Sequence, residues 1–222
     1  MSKPSSPPLL EVRGLQAWYG QAQVLFGLDF SVRPGEVVAL VGRNGAGKST
    51  TLKAIMGLLA RMRGEILYES RSITGWPAYR IARAGLGYVP EDRRVFGELT
   101  VLENLDTGRQ AARSGQTPWT PERLFELFPN LGAMPHRRGQ HMSGGEQQML
   151  TVARTLMGNP RLVLLDEPSE GVAPILVEQM AAMVRTLRDE GIAVLLSEQN
   201  QGFVDGVADR CLFLEQGRLK NA

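Results

Sequence analysis

The sequence predicts an α/β domain on a parallel sheet, with an antiparallel β part near the N-terminus and a helical segment inserted in the middle. Three observations carry this. Residues 37–41 (Val-Val-Ala-Leu-Val) form a continuous apolar run that ends in a glycine-rich turn and passes into a helical pattern. Two further short apolar runs, 161–165 and 192–196, are separated by another helical pattern. Residues 24–32 alternate apolar and other residues instead. Continuous runs suit strands covered on both faces, whereas alternation suits a strand with one buried face. Strand, turn, helix and then buried strands with a helix between them is the order of a parallel-sheet domain.

In chain order, Val24, Phe26, Leu28, Phe30 and Val32 occupy alternate positions and are expected on one buried face. After the 37–41 strand, Leu52, Ile55, Met56 and Leu59 share one side of a helical pattern. Residues 92–142 read as helical segments and loops. Thr120-Pro121 is a helix start ahead of Leu124, Phe125, Leu127 and Phe128, and 113–120 is the most loop-like stretch. Met149, Val152, Ala153 and Leu156 share a helical face, as do Leu176, Met180, Met183 and Leu187 within 175–188. The chain therefore divides into a disordered lead-in (1–8), the first part of a core (9–91), a helical subdomain (92–142) and the second part of the core (143–222). Trp76 and Trp119 read as loop or surface residues.

Composition narrows the partners. With 25 Lys plus Arg against 23 Asp plus Glu in 222 residues, no basic excess points to a nucleic-acid partner, and none is expected. The single cysteine, Cys211, cannot form an internal disulfide; it lies in the apolar run 211–214 and is expected as a buried, inert thiol in a reducing compartment. The Ser/Pro-rich lead-in lacks the apolar stretch of a signal peptide. No apolar run approaches the roughly 20 residues of a membrane span. Any membrane association is expected to come from a partner.

Chemistry concentrates at three places. Gly42-Arg43-Asn44-Gly45-Ala46-Gly47-Lys48-Ser49 matches the G-x-x-x-x-G-K-[ST] phosphate loop and stands between a predicted strand and a predicted helix. Its glycines let backbone amides face phosphate oxygens, and the helix that follows adds its positive end. Lys48 is placed for the β- and γ-phosphates of a nucleotide and the Ser49 hydroxyl for Mg²⁺. The second place is the strand ending in Asp166-Glu167: Asp166 can hold Mg²⁺ through water, and Glu167 can orient and deprotonate the water that attacks the γ-phosphate. These two leave kinases, motor ATPases and GTPases all open. The third is Ser143-Gly144-Gly145-Glu146, opening a helical pattern, which reads as a second anion site. One triphosphate does not need two such sites in one chain, so the second is expected to face a nucleotide held by another subunit.

Met142-Ser143-Gly144-Gly145-Glu146-Gln147-Gln148 resembles the signature of ABC-type ATPases, usually Leu-Ser-Gly-Gly-Gln, and stands where that family has it, ahead of the Asp166-Glu167 strand. The resemblance spans about 10–220. It implies a P-loop NTPase fold with a RecA-like parallel-sheet core, ATP with Mg²⁺, and work as the ATP-hydrolysing subunit of a transporter. By the same resemblance Tyr19 stacks on adenine, Thr50 and residues 143–146 join the nucleotide contacts, and Glu91 stands at the place of a Mg²⁺-sensing glutamine that links to the helical subdomain. Gln199 replaces the usual switch histidine, and Ala173 replaces an aspartate of the loop that crosses between subunits.

These departures, with the runs 89–96, 142–150 and 197–200, resemble the smaller ATPase of importers for branched-chain and related hydrophobic amino acids. Such importers imply membrane permease subunits, a second ABC ATPase subunit (a different one, or another copy), a periplasmic binding protein and a place on the cytoplasmic side of the plasma membrane. An ATPase of a urea or short-amide importer would share almost every motif. A soluble ABC-type ATPase would usually carry coiled-coil insertions or a second cassette, and a pure nucleotide-binding regulator would not need Glu167. His136 and His141 read as solvated. Arg93 and Arg94 read either as a solvated pair or as contacts to a partner or its nucleotide.

Overall fold

The computed structural model describes residues 7–113 and 115–220, so most of the predicted lead-in lies outside the described residues. The first sheet is antiparallel. β1 (Leu10–Tyr19) pairs with β2 (Ala22–Val32) on one side and β4 (Arg61–Tyr68) on the other, and β5 (Arg71–Ser72) extends β4. The alternation predicted for β2 breaks at Gly27. Its neighbours Phe26 and Leu28 face consecutive β1 residues, Gln16 and Leu15, so Gly27 is the extra residue of a bulge, at φ 91°. Leu28, Phe30 and Val32 are buried as expected, but on the far side of the bulge Leu25 takes the core position. Val24 and Phe26 are only half-buried: Val24 lines a cleft described below, and Phe26 lies under the Arg218 guanidinium.

The three continuous apolar runs become adjacent parallel strands. β3 (Val37–Val41) pairs with β8 (Ala193–Glu198), which pairs with β7 (Leu162–Asp166), and β6 (Leu86–Val89) closes that edge. On the other side of β3 lies β9 (Arg210–Glu215), which returns as β10 (Arg218–Leu219). Alternate residues of a strand face opposite sides, and two cores follow. Val38, Leu40, Leu164 and Leu195 pack with α1 (Lys48–Ile55) and the antiparallel sheet, including Leu15, Leu28, Leu52 and Ile55. Val37, Val163, Leu165 and Leu196 pack with α6 (Gly144–Leu156) and α7 (Pro174–Asp189), including Met149, Ala153, Met180 and Leu187. Truncating one such leucine to alanine would cost about 2–5 kcal/mol, a large part of the ~5–15 kcal/mol that holds a domain together.

Between β4 and β6 runs α2 (Ala78–Ala84), and between β6 and α6 the chain makes short helices joined by loops: α3 (Val101–Thr107), α4 (Pro121–Leu127) and α5 (Pro129–Gly132). α4 begins at the predicted Thr120-Pro121, where the Thr120 hydroxyl accepts from the Arg123 amide. The last helix is α8 (Gln201–Val207). Three expectations need correction. α1 stops at Ile55, where the amides of Met56, Gly57 and Leu58 fold back onto helix carbonyls, and Leu59 lies beyond it. Trp119 is a core residue, 5% exposed; the Asn159 side chain accepts its backbone N–H and the Arg123 guanidinium covers its ring at 3.8 Å. Cys211 is half-buried rather than buried; loss of solvent there pushes its thiol above the ordinary pKa, which keeps it protonated and unreactive.

Candidate active site

β3 delivers the chain into the glycine loop, and α1 begins at Lys48 behind Gly47, at φ 110° and with no side chain to cap the helix. The first amides of α1 are thus left for an outside acceptor. Gly42 is fixed by close approach: a Cβ there would run into the Leu214 carbonyl oxygen of β9. Lys48 is buried, and a buried ammonium needs partners. Its Nζ donates to the Gly42 carbonyl (2.9 Å) and lies 3.0 Å from Glu167 Oε1. Lys48, Ser49 and Thr50 line a cleft of about 460 Å³ together with Val24, Asn44, Glu91, Glu167 and Glu170.

The carboxylates are placed by strand register. Asp166 ends β7 opposite Ser197 of β8, and the Ser197 hydroxyl donates to Asp166 Oδ1 at 2.7 Å. Tyr88 of β6 is in register with Leu164 and so shares its face with Asp166; its hydroxyl donates to Oδ2 at 3.1 Å. Asp166 is 1% exposed and does not itself line the cleft; two neutral donors hold it. Glu167 adopts a left-handed backbone (φ 47°), uncommon for a residue with a side chain, and its amide donates to the Ser197 carbonyl at 3.0 Å. Burial alone would raise its pKa. Hydrogen bonds from Glu170, Lys48 and Gln199 and the charge of Lys48 outweigh that and hold it below the ordinary carboxylate range. Glu170 is pushed the other way, to about 7, by its hydrogen bond to Glu167 and by the charge of that neighbour. Gln199 Nε2 joins two parts of the site, donating to Asn44 Oδ1 (2.6 Å) and Glu167 Oε2 (3.2 Å).

Not every predicted residue meets at this cleft. Gly42, Arg43 and Ala46 line the opposite side of the loop, toward Leu214 and Glu215. Tyr19 ends β1 half-exposed, clear of the core. Ser143, Gly144, Gly145 and Glu146 stand at the start of α6 and do not line the cleft. The Glu146 carboxylate is engaged in holding that helix start, accepting from the Ser143 amide at 2.7 Å. The Arg93 guanidinium lies against Gly144, so that a Cβ there would meet it. Glu91 borders both the cleft and a hollow formed by residues 91–95 with Gln147. His136 and His141 are exposed.

Four residues of the site were not singled out from sequence. Tyr88 and Ser197 hold Asp166, Glu170 partners Glu167, and Glu198 is a brace. Buried at the end of β8, Glu198 accepts from the amides of Ser169 (2.9 Å), Gln199 (2.8 Å) and Asn200 (3.0 Å), tying the loop after Glu167 to the Gln199 turn. No local pattern marks Tyr88 or Ser197, because Asp166 comes from another strand, nor Glu198, whose Ser169 contact lies in the loop after β7.

The open amides, buried lysine, hydroxyl and strand-tip carboxylates fit a nucleoside triphosphate with a divalent cation. Fold and site together define a P-loop nucleoside triphosphatase. Within that class the chain belongs to the ABC transporter family, whose pattern matches residues 25–170. It is an ATPase that uses ATP with Mg²⁺. A high-affinity branched-chain amino acid transport ATP-binding protein, BraG of Pseudomonas aeruginosa, is 42% identical over 211 residues, covering 95% of this chain and 91% of that protein. A lipopolysaccharide export system ATP-binding protein, LptB of Acidithiobacillus ferridurans, is 36% identical over 220 residues, covering 96% and 89%. The crystal structure of a nucleotide-free ATP-binding cassette from an ABC transporter superposes with a TM-score of 0.82 at 27% identity, covering 97% of this chain and 90% of that one.

Proposed function

We propose that this chain is the ATP-hydrolysing subunit of an importer for branched-chain or other hydrophobic amino acids. It would work at the cytoplasmic face of the membrane with permease subunits, a second ABC ATPase subunit and a periplasmic binding protein. The observation that carries the reading is the 42% identity to BraG along nearly the whole of both chains. We also propose the division into a core (9–91 and 143–222) and a helical subdomain (92–142) as the moving parts.

In this reading the loop amides and Lys48 hold the phosphates, and Ser49 and Asp166 hold Mg²⁺, which supplies charge neutralisation at the phosphates. Lys48 exchanges its contact with Glu167 for the phosphates, which frees the carboxylate. Glu167 accepts the proton of the attacking water, and Gln199 orients the γ-phosphate against it. Glu91 connects this site to the helical subdomain. Residues 143–145 serve the nucleotide of the second ATPase subunit, and Tyr19 stacks on adenine.

Among the described residues no helix is long and apolar enough to cross a membrane, so the permease contact must be a surface. Three exposed apolar side chains, Leu58, Tyr79 and Phe96, line one groove of about 500 Å³ beside β6. Arg154, over the Phe96 ring at 4.9 Å, lines it too and has no carboxylate partner among the described residues. A permease helix with an apolar face and an acidic residue fits this groove.

Affinity purification of the tagged chain from mild-detergent membranes tests the proposal. Two multi-span permeases, a second ATPase and a genetically linked binding protein that takes hydrophobic amino acids are expected. Recovery with lipopolysaccharide-export components, or without membrane partners, would contradict it.

A further inference from the structure

Tyr88 does two things at once. It lines the apolar groove, and its hydroxyl reaches through to Asp166 Oδ2 at 3.1 Å. The other oxygen, Oδ1, is taken by the Ser197 hydroxyl at 2.7 Å. A carboxylate with one neutral donor on each oxygen has a fixed plane, and each oxygen still has a lone pair for a further ligand. Neutrality matters. Lysine or arginine in place of either hydroxyl would also orient Asp166, but would cancel the negative charge a divalent cation needs.

We infer that Tyr88 is a positioning residue of the Mg²⁺ site: through its hydroxyl it sets the orientation of Asp166 from the wall of the apolar groove. The inference rests on the metal role proposed for Asp166. It makes Tyr88 a direct physical connection between the groove and the metal-holding carboxylate.

The test uses Mn²⁺ in place of Mg²⁺, titrated by electron paramagnetic resonance into the full chain holding a non-hydrolysable ATP analogue. Tyr88→Phe keeps the ring and removes the hydroxyl. It should weaken Mn²⁺ binding roughly tenfold, as loss of an outer-shell partner does. Analogue binding in EDTA should stay at its native value, which packing alone would not predict, while the Tm falls by no more than the few degrees one lost hydrogen bond costs. Asp166→Asn is the control. If it weakens Mn²⁺ binding while Tyr88→Phe leaves it unchanged, the role of Tyr88 is overturned and the site reading stands. If neither variant changes Mn²⁺ affinity, both fall. A Tyr88→Phe protein that loses Tm and metal-free analogue binding together would also overturn the positioning role, in favour of plain packing.

Discussion

Two helices of this chain begin at glycine-rich turns, and they begin differently. α1 starts behind Gly47 with nothing to cap it, so its first amides wait for an acceptor. α6 starts behind Ser143, whose hydroxyl accepts from the Glu146 amide while the Glu146 carboxylate accepts from the Ser143 amide. That reciprocal cap holds the first turn with the chain's own side chains. The contrast separates a site shaped to receive a ligand in its own cleft from a helix start kept in shape without one. It also fits a division of labour in which α1 serves this chain's nucleotide and α6 serves one held elsewhere.

Breaking α1 should have the larger effect. Lys48→Ala removes the buried ammonium and should lower ATP turnover by roughly a hundredfold or more, with weaker ATP retention in a filter-binding assay. Near-native turnover would deny the loop its role. Breaking α6 should be milder. Ser143→Ala removes the cap, a cost of about 1 kcal/mol, and should lower the Tm by about 2–4 °C. ATP binding by the isolated chain should be unchanged, and a marked loss would mean that the two helix starts are not separate.

Gln199 sharpens the α1 side. It donates to Asn44 and Glu167 without a proton that titrates near neutrality. Gln199→His should keep turnover and add a dependence on pH near 6.5, the ordinary value for histidine; steady-state rates across pH would show it, and complete loss would mean that glutamine has a role histidine cannot take. The smallest effect concerns Glu170. Its folded pKa of about 7 lies above the ordinary carboxylate value, so its protonated form stabilises the nucleotide-free protein at low pH. That stability is lost as pH rises through about 7. Because Glu170 is exposed, solvent screens the effect. Thermal scans from pH 5 to 8 should show a slightly flatter decline for Glu170→Gln, and an identical decline would remove the shared proton.

The sheet was legible wherever burial on both faces left a continuous apolar run, as in β3, β7 and β8, and α7 was legible from Met180, Met183 and Leu187 in phase. The bulge was not, because the pattern at Val24 and Phe26 looks regular until Gly27 is paired with β1. Trp119 was hidden by its Pro-rich surroundings; it packs into the core under α6, and the Asn159 side chain, forty residues on, only holds its backbone N–H. In the site, the loop, Asp166 and Glu167 were legible because their chemistry needs a fixed local spacing. Tyr88, Ser197 and Glu198 were not, because each acts across strands, and strand order and register are decided by the whole fold.

The proposed mechanism makes Glu167 the base in an ATP site built around Lys48. The most direct test is Glu167→Gln, followed with radiolabelled ATP for both binding and phosphate release. ATP should be retained at native affinity and phosphate release slowed by roughly a hundred- to ten-thousandfold. Native-rate phosphate release from Glu167→Gln would contradict it.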